Sequence, residues 1–227
     1  MALLSPTMRH AVVTGANRGI GLEFAAQLSA SGWSVTGLCR NSSARLDQVA
    51  ENVWSGIDVS SDGLEDSLRS FASARPIDLL VNCAGILTRE SLDELDLDAI
   101  RRQFEVNSLG PLRVTHALLS NLREGSKVIV ITSRMGSIGD NTSGARYGYR
   151  MSKAAVNMAF ASLAHDLRPR GIAVGILHPG FVRTDMTGGR GNWNADEAAA
   201  ALLDRIASLD LSSSGDFLHA NGEALPW

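Results

Sequence analysis

The chain has 227 residues, 44% of them apolar and 20% charged, which suits one sizeable hydrophobic core and excludes a disordered chain. Its net charge is −3 and no block of like charges occurs, so the basic footprint of a nucleic-acid-binding protein is absent. Two cysteines are too few for a disulfide framework, and we expect both thiols to be reduced.

The first residues, Met-Ala-Leu-Leu-Ser-Pro, form an apolar run that is too short for a signal peptide. No window approaches the roughly 18 apolar residues that a membrane span needs. No group of His, Cys, Asp and Glu has the spacing of metal ligands. We therefore expect a cytoplasmic protein with no membrane, nucleic-acid or metal partner.

Short apolar runs alternate with longer stretches of helical periodicity. The predicted strands are residues 10–14, 34–39, 53–58, 77–82, 127–132 and 172–178, and the predicted helices are 19–31, 61–74, 97–121, 150–168 and 195–209. Several strands are continuous runs of Val, Ile and Leu, which is typical of strands covered on both faces. The alternation predicts one α/β domain over residues 1–227, with a doubly wound parallel sheet and helices on both faces.

A glycine-rich turn follows the first predicted strand, in residues 14–21. Gly15 permits a sharp turn, Gly19 lets a pyrophosphate approach the backbone, and Gly21 lets the next helix pack closely on the sheet. The N-terminus of that helix then offers free N–H groups to phosphate oxygens. A glycine triplet alone is weak support, but a strand before it and a helix after it favour a dinucleotide site.

Arg40 stands directly after the second predicted strand, where this architecture meets the adenosine ribose. No acidic residue occurs from Val35 to Ala44, and an arginine suits a 2′-phosphate through charge-assisted hydrogen bonds. Arg18 is a second candidate for the same phosphate. Either arginine could instead be a solvated loop charge; together they favour NADP(H) over NAD(H).

Tyr149 and Lys153 are four residues apart at the start of a predicted helix, and therefore share one helical face. A nearby ammonium is expected to lower the pKa of a tyrosine, so that Tyr149 serves as proton donor and acceptor. Ser133 ends the strand 127–132, where its hydroxyl can polarise a substrate oxygen. Asn107 in mid-helix is mildly unfavourable and suggests a polar role, such as anchoring a water beside Lys153.

In this order the motifs resemble the short-chain dehydrogenase/reductase family over nearly the whole chain, and most closely its sniffer/C-factor branch of carbonyl reductases. The resemblance implies a Rossmann-type sheet of about seven strands, a dimer, and the catalytic residues Asn107, Ser133, Tyr149 and Lys153. It also implies cofactor contacts from Gly15, Asn17, Arg18, Gly19, Ile20, Arg40, Asp58, Val59, Asn82, Ala84, Gly85, Tyr149, Lys153, Pro179, Gly180, Val182 and Thr184.

Three features depart from the family pattern. Cys83 replaces the second Asn of the Asn-Asn-Ala-Gly motif, and residues 140–146 lengthen the segment between Ser133 and Tyr149. The segment after Thr184 is short, which predicts an open pocket with Met135 and Trp193 as candidate apolar walls. Either of these side chains could equally belong to the core.

The expected activity is NADP(H)-dependent interconversion of a small-molecule carbonyl and an alcohol. Two other classes remain open at this point: a dinucleotide-binding regulator with vestigial catalysis, and a structural subunit that uses the fold as a scaffold. The intact set of Ser133, Tyr149 and Lys153 favours the enzyme.

Overall fold

The computed structural model describes residues 8–71 and 75–227, so residues 1–7 and the last part of the predicted helix 61–74 lie outside it. Seven parallel strands form one sheet in the order β3-β2-β1-β4-β5-β6-β7. The strands are β1 His10–Thr14, β2 Ser34–Leu38, β3 Asn52–Trp54, β4 Ile77–Asn82, β5 Leu122–Ile131, β6 Ala173–His178 and β7 Phe217–His219. The strand order reverses between β1 and β4, which is where a doubly wound sheet opens a crevice for ligands.

Helices cover both faces of the sheet. They are α1 Gly19–Ala30, α2 Ala44–Val49, α3 Leu64–Phe71, α4 Leu97–Phe104, α5 Gly110–Ala117, α6 Tyr147–Leu167 and α7 Ala195–Ser208. The two cores separate with the pleat of the strands: Val12 packs with α3, α5 and α6, whereas Ala11 and Val13 pack with α1, α2 and α7. The predicted fold class is therefore confirmed.

Some predicted boundaries are wrong. The predicted helix 97–121 is divided into α4, a π-helical turn over Glu105–Leu109, α5 and a short 3₁₀ turn. The predicted helix 61–74 begins three residues later, at Leu64, and the Ser60 hydroxyl before it donates to the Asp58 carboxylate at 2.6 Å. The short elements α2 and β7 match no predicted helix or run. Among the described residues, no helix has the length and apolar character to cross a bilayer.

Candidate active site

A cavity of about 620 Å³ opens at the carboxyl ends of the central strands. Most of the predicted cofactor and catalytic residues line it: Gly15, Asn17, Arg18, Gly19, Ile20, Arg40, Asp58, Val59, Ala84, Gly85, Tyr149, Lys153, Pro179 and Thr184. These residues come from the segments that follow six different strands, β1 to β6, so only the parallel sheet brings them together. We call this cavity the cofactor cleft.

The glycine turn has the geometry that its sequence predicts. Gly15 has a φ of +66°, and a Cβ there would lie 2.9 Å from Ala84 Cα. A Cβ on Gly21 would lie 2.3 Å from the Gly15 carbonyl oxygen, so that close packing of α1 requires glycine. The first turn of α1 has no acidic residue and no side-chain cap. Its N–H groups therefore fit the pyrophosphate of a dinucleotide.

Cationic side chains surround the end of the cleft beyond β2. Arg40 follows β2 and is exposed. The pKa of Asp58 is lowered mainly by its hydrogen bonds with Ser60 and, to a smaller extent, by the charge of Arg40. Arg18 donates to Asp185 at 3.3 Å across the cleft, and both side chains are largely exposed. Such exposed pairs are weak, because water screens them, so Arg18 can turn toward a phosphate at little cost.

Tyr149 and Lys153 are both buried on α6, and the Lys153 ammonium lies 5.7 Å from the centre of the tyrosine ring. The Lys153 Nζ donates to the Ile131 carbonyl at 2.9 Å, at the end of β5. Ser133 follows β5 directly, is buried, and hydrogen-bonds through its hydroxyl with the Tyr149 phenol. The predicted catalytic side chains Ser133, Tyr149 and Lys153 thus lie together.

The pKa of Tyr149 is shifted in the opposite direction from the one expected. Burial raises the pKa of Tyr149, against the smaller opposing effects of the Ser133 hydrogen bond and the charge of Arg146. Burial also lowers the pKa of Lys153 to about 8. The predicted net lowering of the Tyr149 pKa by Lys153 is therefore wrong in this structure, and the assisting charge comes from Arg146.

Asn107 lies in the π-helical turn and is completely buried. Its Oδ1 accepts from the Ile86 N–H at 2.8 Å, while Nδ2 donates to the Ile86 carbonyl at 2.9 Å and to Ser152 Oγ at 3.0 Å. Both amide protons are used, so only one acceptor position on Oδ1 remains for a water. The predicted water-anchoring role stays a prediction, and the observed role is to hold the loop after β4 at Ile86.

Three predicted cofactor residues lie outside the lining of the cleft. Asn82 is buried below it, where Nδ2 donates to Thr115 Oγ1 at 3.2 Å and to the Ile129 carbonyl at 3.3 Å. Its side chain therefore ties β4 to β5 and α5 instead of contacting the cleft. Gly180 and Val182 are also absent from the lining.

The sequence interpretation missed Met186, whose Cε lies 3.9 Å from the position of a Cβ on Gly85. A methionine with no motif around it gives no signal in a single sequence. Trp193 is not a wall of the cleft, because its ring packs edge-on against His219 and its backbone pairs with Val182. Among the described residues, no group of His, Cys, Asp and Glu could hold a metal ion.

Comparisons with known proteins agree with this geometry. The model of the family described as short chain dehydrogenase matches residues 9–195. The 1-hydroxy-2-glutathionyl-2-methyl-3-butene dehydrogenase of Rhodococcus sp. (strain AD45) is 40% identical, covering 97% of this chain and 100% of that protein. The C-signal protein of Myxococcus xanthus is 43% identical, over 70% of this chain and 100% of its own.

A solved structure extends the likeness to the fold. The NADPH-bound carbonyl reductase from chicken fatty liver superposes with a TM-score of 0.86 at 30% identity, covering 97% of this chain and 99% of that one. The resemblance inferred from the motifs is therefore confirmed. The chain belongs to the short-chain dehydrogenase family.

Proposed function

We propose that this oxidoreductase interconverts a ketone or aldehyde and the corresponding alcohol with NADP(H). The observation that carries the proposal is the buried group of Ser133, Tyr149 and Lys153, of which Tyr149 and Lys153 line the cofactor cleft. A tyrosine, its hydrogen-bonded serine and a lysine on one helical face supply the proton transfer that carbonyl reduction needs.

The cofactor chemistry is hydride transfer, which NADP(H) supplies when bound. The N–H groups at the start of α1 would hold the pyrophosphate, and Arg40 with Arg18 would bind the 2′-phosphate. The NADPH in the related chicken reductase supports this choice, and NAD(H) is the less favoured cofactor. Replacing Arg40 by Asp should lower the preference for NADPH over NADH, since the carboxylate repels the 2′-phosphate and accepts from ribose hydroxyls.

Each catalytic side chain then has one task. Tyr149 keeps its proton at neutral pH because burial raises its pKa, and it gives that proton to the carbonyl oxygen during reduction. Ser133 donates to the same oxygen and stabilises the developing charge. Lys153 places a cation beside the tyrosine, and Asn107 holds the neighbouring loop at Ile86.

The test is to titrate the protein with NADPH and NADH by fluorescence, and then to follow oxidation of NADPH at 340 nm with a panel of ketones and aldehydes. We expect tighter NADPH binding, turnover by the wild type, and a loss of at least about 10³-fold in kcat for Tyr149→Phe with NADPH affinity retained. Tyr147→Phe, two residues away on the same helix, is the matched control. Failure to bind either nucleotide would overturn the proposal.

The similarity to the C-signal protein supports a second candidate, an NADP(H)-binding regulatory protein with weak catalysis. The two candidates differ in one result. Tight NADPH binding without turnover of any carbonyl in the panel would favour the regulator.

We include a homodimer in the proposal. Apolar side chains on α5 and α6 are exposed, including Leu112, Met151 and Met158, the last of these 70% exposed. Burying such a surface against a second copy is favourable. Light scattering should give twice the chain mass, and Met158→Glu should shift the mass toward that of the monomer.

We also propose a cytoplasmic location, because the free thiols of Cys39 and Cys83 suit a reducing compartment.

A further inference from the structure

Arg146 has a backbone conformation that its residue type disfavours. It has φ 52° and ψ 47°, in the left-handed region, and Ala145 before it also has φ 52°. These are the two non-glycine residues with positive φ among residues 8–71 and 75–227. Each such residue costs free energy and persists only where its surroundings enforce it.

The surroundings of Arg146 enforce this conformation with several hydrogen bonds. The Arg146 N–H donates to the carbonyl of buried Glu90 at 2.8 Å. The Arg150 guanidinium donates from Nε to the carbonyls of Gly144 and Ala145, at 3.1 and 3.2 Å, and from Nη2 to Ser143 Oγ at 2.8 Å. Hydrogen bonds therefore fix the backbone at the end of the inserted segment 140–146, and with it the position from which the Arg146 side chain extends.

The charge of Arg146 is also unfavourable where it lies. Arg146 is the N-cap residue of α6, where the helix dipole disfavours a cation. The first turn of α6 has no acidic residue of its own, and the buried Glu90 carboxylate at this helix end accepts from the Gly148 N–H at 3.3 Å.

The Arg146 guanidinium contacts Met135 Sδ at 3.8 Å, and among the described residues it forms no ion pair. Arg134, by contrast, is paired with Asp140 at 3.1 Å and with Glu223 at 2.9 Å. A cation at a helix N-terminus, with a strained backbone and no ion-pair partner among the described residues, indicates a functional role.

The place of Arg146 identifies what that role can be. Arg146 is half-buried, its charge favours the ionised form of the Tyr149 hydroxyl, and the Met135 that it contacts donates its own N–H to Ser133 Oγ at 3.1 Å. Arg146, Met135 and Ser133 are all absent from the lining of the cofactor cleft. The cation therefore lies beside the reacting groups but apart from the residues that meet the cofactor phosphates.

We propose that Arg146 is a specificity-determining residue that binds a carboxylate on the substrate, so that this enzyme prefers carbonyl compounds or alcohols carrying such an anionic group. The inference rests on the proposed function and names its substrate class. A guanidinium presents two parallel N–H donors to a carboxylate, and a half-buried position with an apolar neighbour strengthens that pair relative to water.

The experiment compares a matched pair of aldehydes, 4-carboxybenzaldehyde and its methyl ester, with NADPH. We expect wild type to have the higher kcat/KM for the acid. Arg146→Gln should lower kcat/KM for the acid by about 30-fold or more, as removal of one partner of a partly buried charge pair does, and should change the ester much less. Arg146→Lys should retain part of the preference.

Two controls separate recognition from structure. Arg168→Gln removes an exposed positive charge at the opposite end of α6, so it should leave the ratio of kcat/KM for the acid to that for the ester unchanged. Binding of 4-carboxybenzoate, but not of its diamide, to the NADP⁺ complex of Tyr149→Phe should depend on Arg146 without any turnover.

The proposal would be overturned if Arg146→Gln lowered kcat/KM equally for the acid and the ester. It would also be overturned if Arg146→Gln left carboxylate binding unchanged. Turnover of neutral aldehydes without any preference for the acid would overturn it while leaving the proposed function intact. If wild type reduced no carbonyl, the proposed function would fail, and carboxylate binding that is lost in Arg146→Gln would still support the anion site.

Discussion

Asn107 pairs with both backbone groups of Ile86, accepting from its N–H at 2.8 Å and donating to its carbonyl at 2.9 Å. The Asn107 side-chain amide thus forms with Ile86 the two hydrogen bonds that the backbone of a neighbouring strand would form. The pairing occurs inside the π-helical turn Glu105–Leu109, where one residue more per turn alters the direction of the side chains. The π-helical turn therefore places Asn107 where it holds the cleft wall at Ile86.

Asn107→Asp should destabilise the fold and the cleft together. The change places a carboxylate oxygen where Nδ2 donates to the Ile86 carbonyl, so two acceptors face each other in a buried place. We expect the free energy of unfolding to fall by about 2–3 kcal/mol, together with a weaker NADPH affinity. Urea denaturation and fluorescence titration measure the two effects. Asn192→Asp in an exposed loop is the control, and equal stability of both variants would contradict the prediction.

Glu90 should act as a positioning residue for the catalytic helix. It is 3% exposed, and its carboxylate accepts from Gln103 Nε2 at 2.9 Å, from the Thr88 hydroxyl and from the Gly148 N–H at 3.3 Å. Glu90→Ala leaves these buried donors without a partner, so we expect a loss of about 3 kcal/mol in unfolding free energy.

The effect of Glu90 on catalysis has its own signature. Gly148 immediately precedes Tyr149, so Glu90→Ala should lower kcat more than it weakens NADPH binding. Exposed Glu94→Ala is the matched control. A variant with full kcat and reduced stability would show a structural role alone.

The pH profile of carbonyl reduction should report Lys153. Burial lowers its pKa to about 8, so Lys153 is mostly protonated below that pH and loses its charge as the pH rises through it. We expect kcat/KM to be flat below about pH 7.5 and to fall above pH 8.5. The raised pKa of Tyr149 places deprotonation of the phenol at still higher pH, so it does not cause this fall.

Two variants identify the titrating group. NADPH binding by Tyr149→Phe should keep a transition near pH 8, whereas Lys153→Arg should remove it because a guanidinium stays charged. A transition that persists in Lys153→Arg would assign the group elsewhere.

His178 should make the protein less stable in mild acid. Its Nδ1 is buried and has no hydrogen-bond partner in the described chain, and burial, followed by the nearby charges of His219, Arg134 and Lys153, lowers its pKa to about 3. An unfolded histidine has a pKa of about 6.5, so its contribution to stability is complete above that value and is lost as the pH falls from there toward 3.

The change from pH 7 to pH 5 should therefore cost wild type about 2 kcal/mol more than it costs His178→Phe, which cannot take up the proton. Urea denaturation at the two pH values measures the difference. His165→Phe, at an exposed position on α6, should retain the wild-type dependence. Parallel pH profiles for wild type and His178→Phe would refute the prediction.

The sequence by itself determined what depends on neighbours along the chain. The spacing of Gly15, Gly19 and Gly21 predicts the turn, because their backbone and packing demands are local, and Tyr149 and Lys153 meet because they are four apart on one helix. Apolar periodicity likewise located six of the seven strands and the long helices. The three-residue strand β7 and the six-residue helix α2 fall below the length at which periodicity is distinctive.

Tertiary structure decided what depends on groups far apart in the chain. Asn107 pairs with a backbone 21 residues away, and Asn82 is buried by β5 and α5 instead of reaching the cleft. The direction of the Tyr149 pKa shift follows from burial of its side chain, which no spacing of charges reveals. Arg146 becomes a candidate for substrate recognition only through its strained backbone and missing partner, because desolvation and long-range contacts arise when the sheet and its loops are assembled.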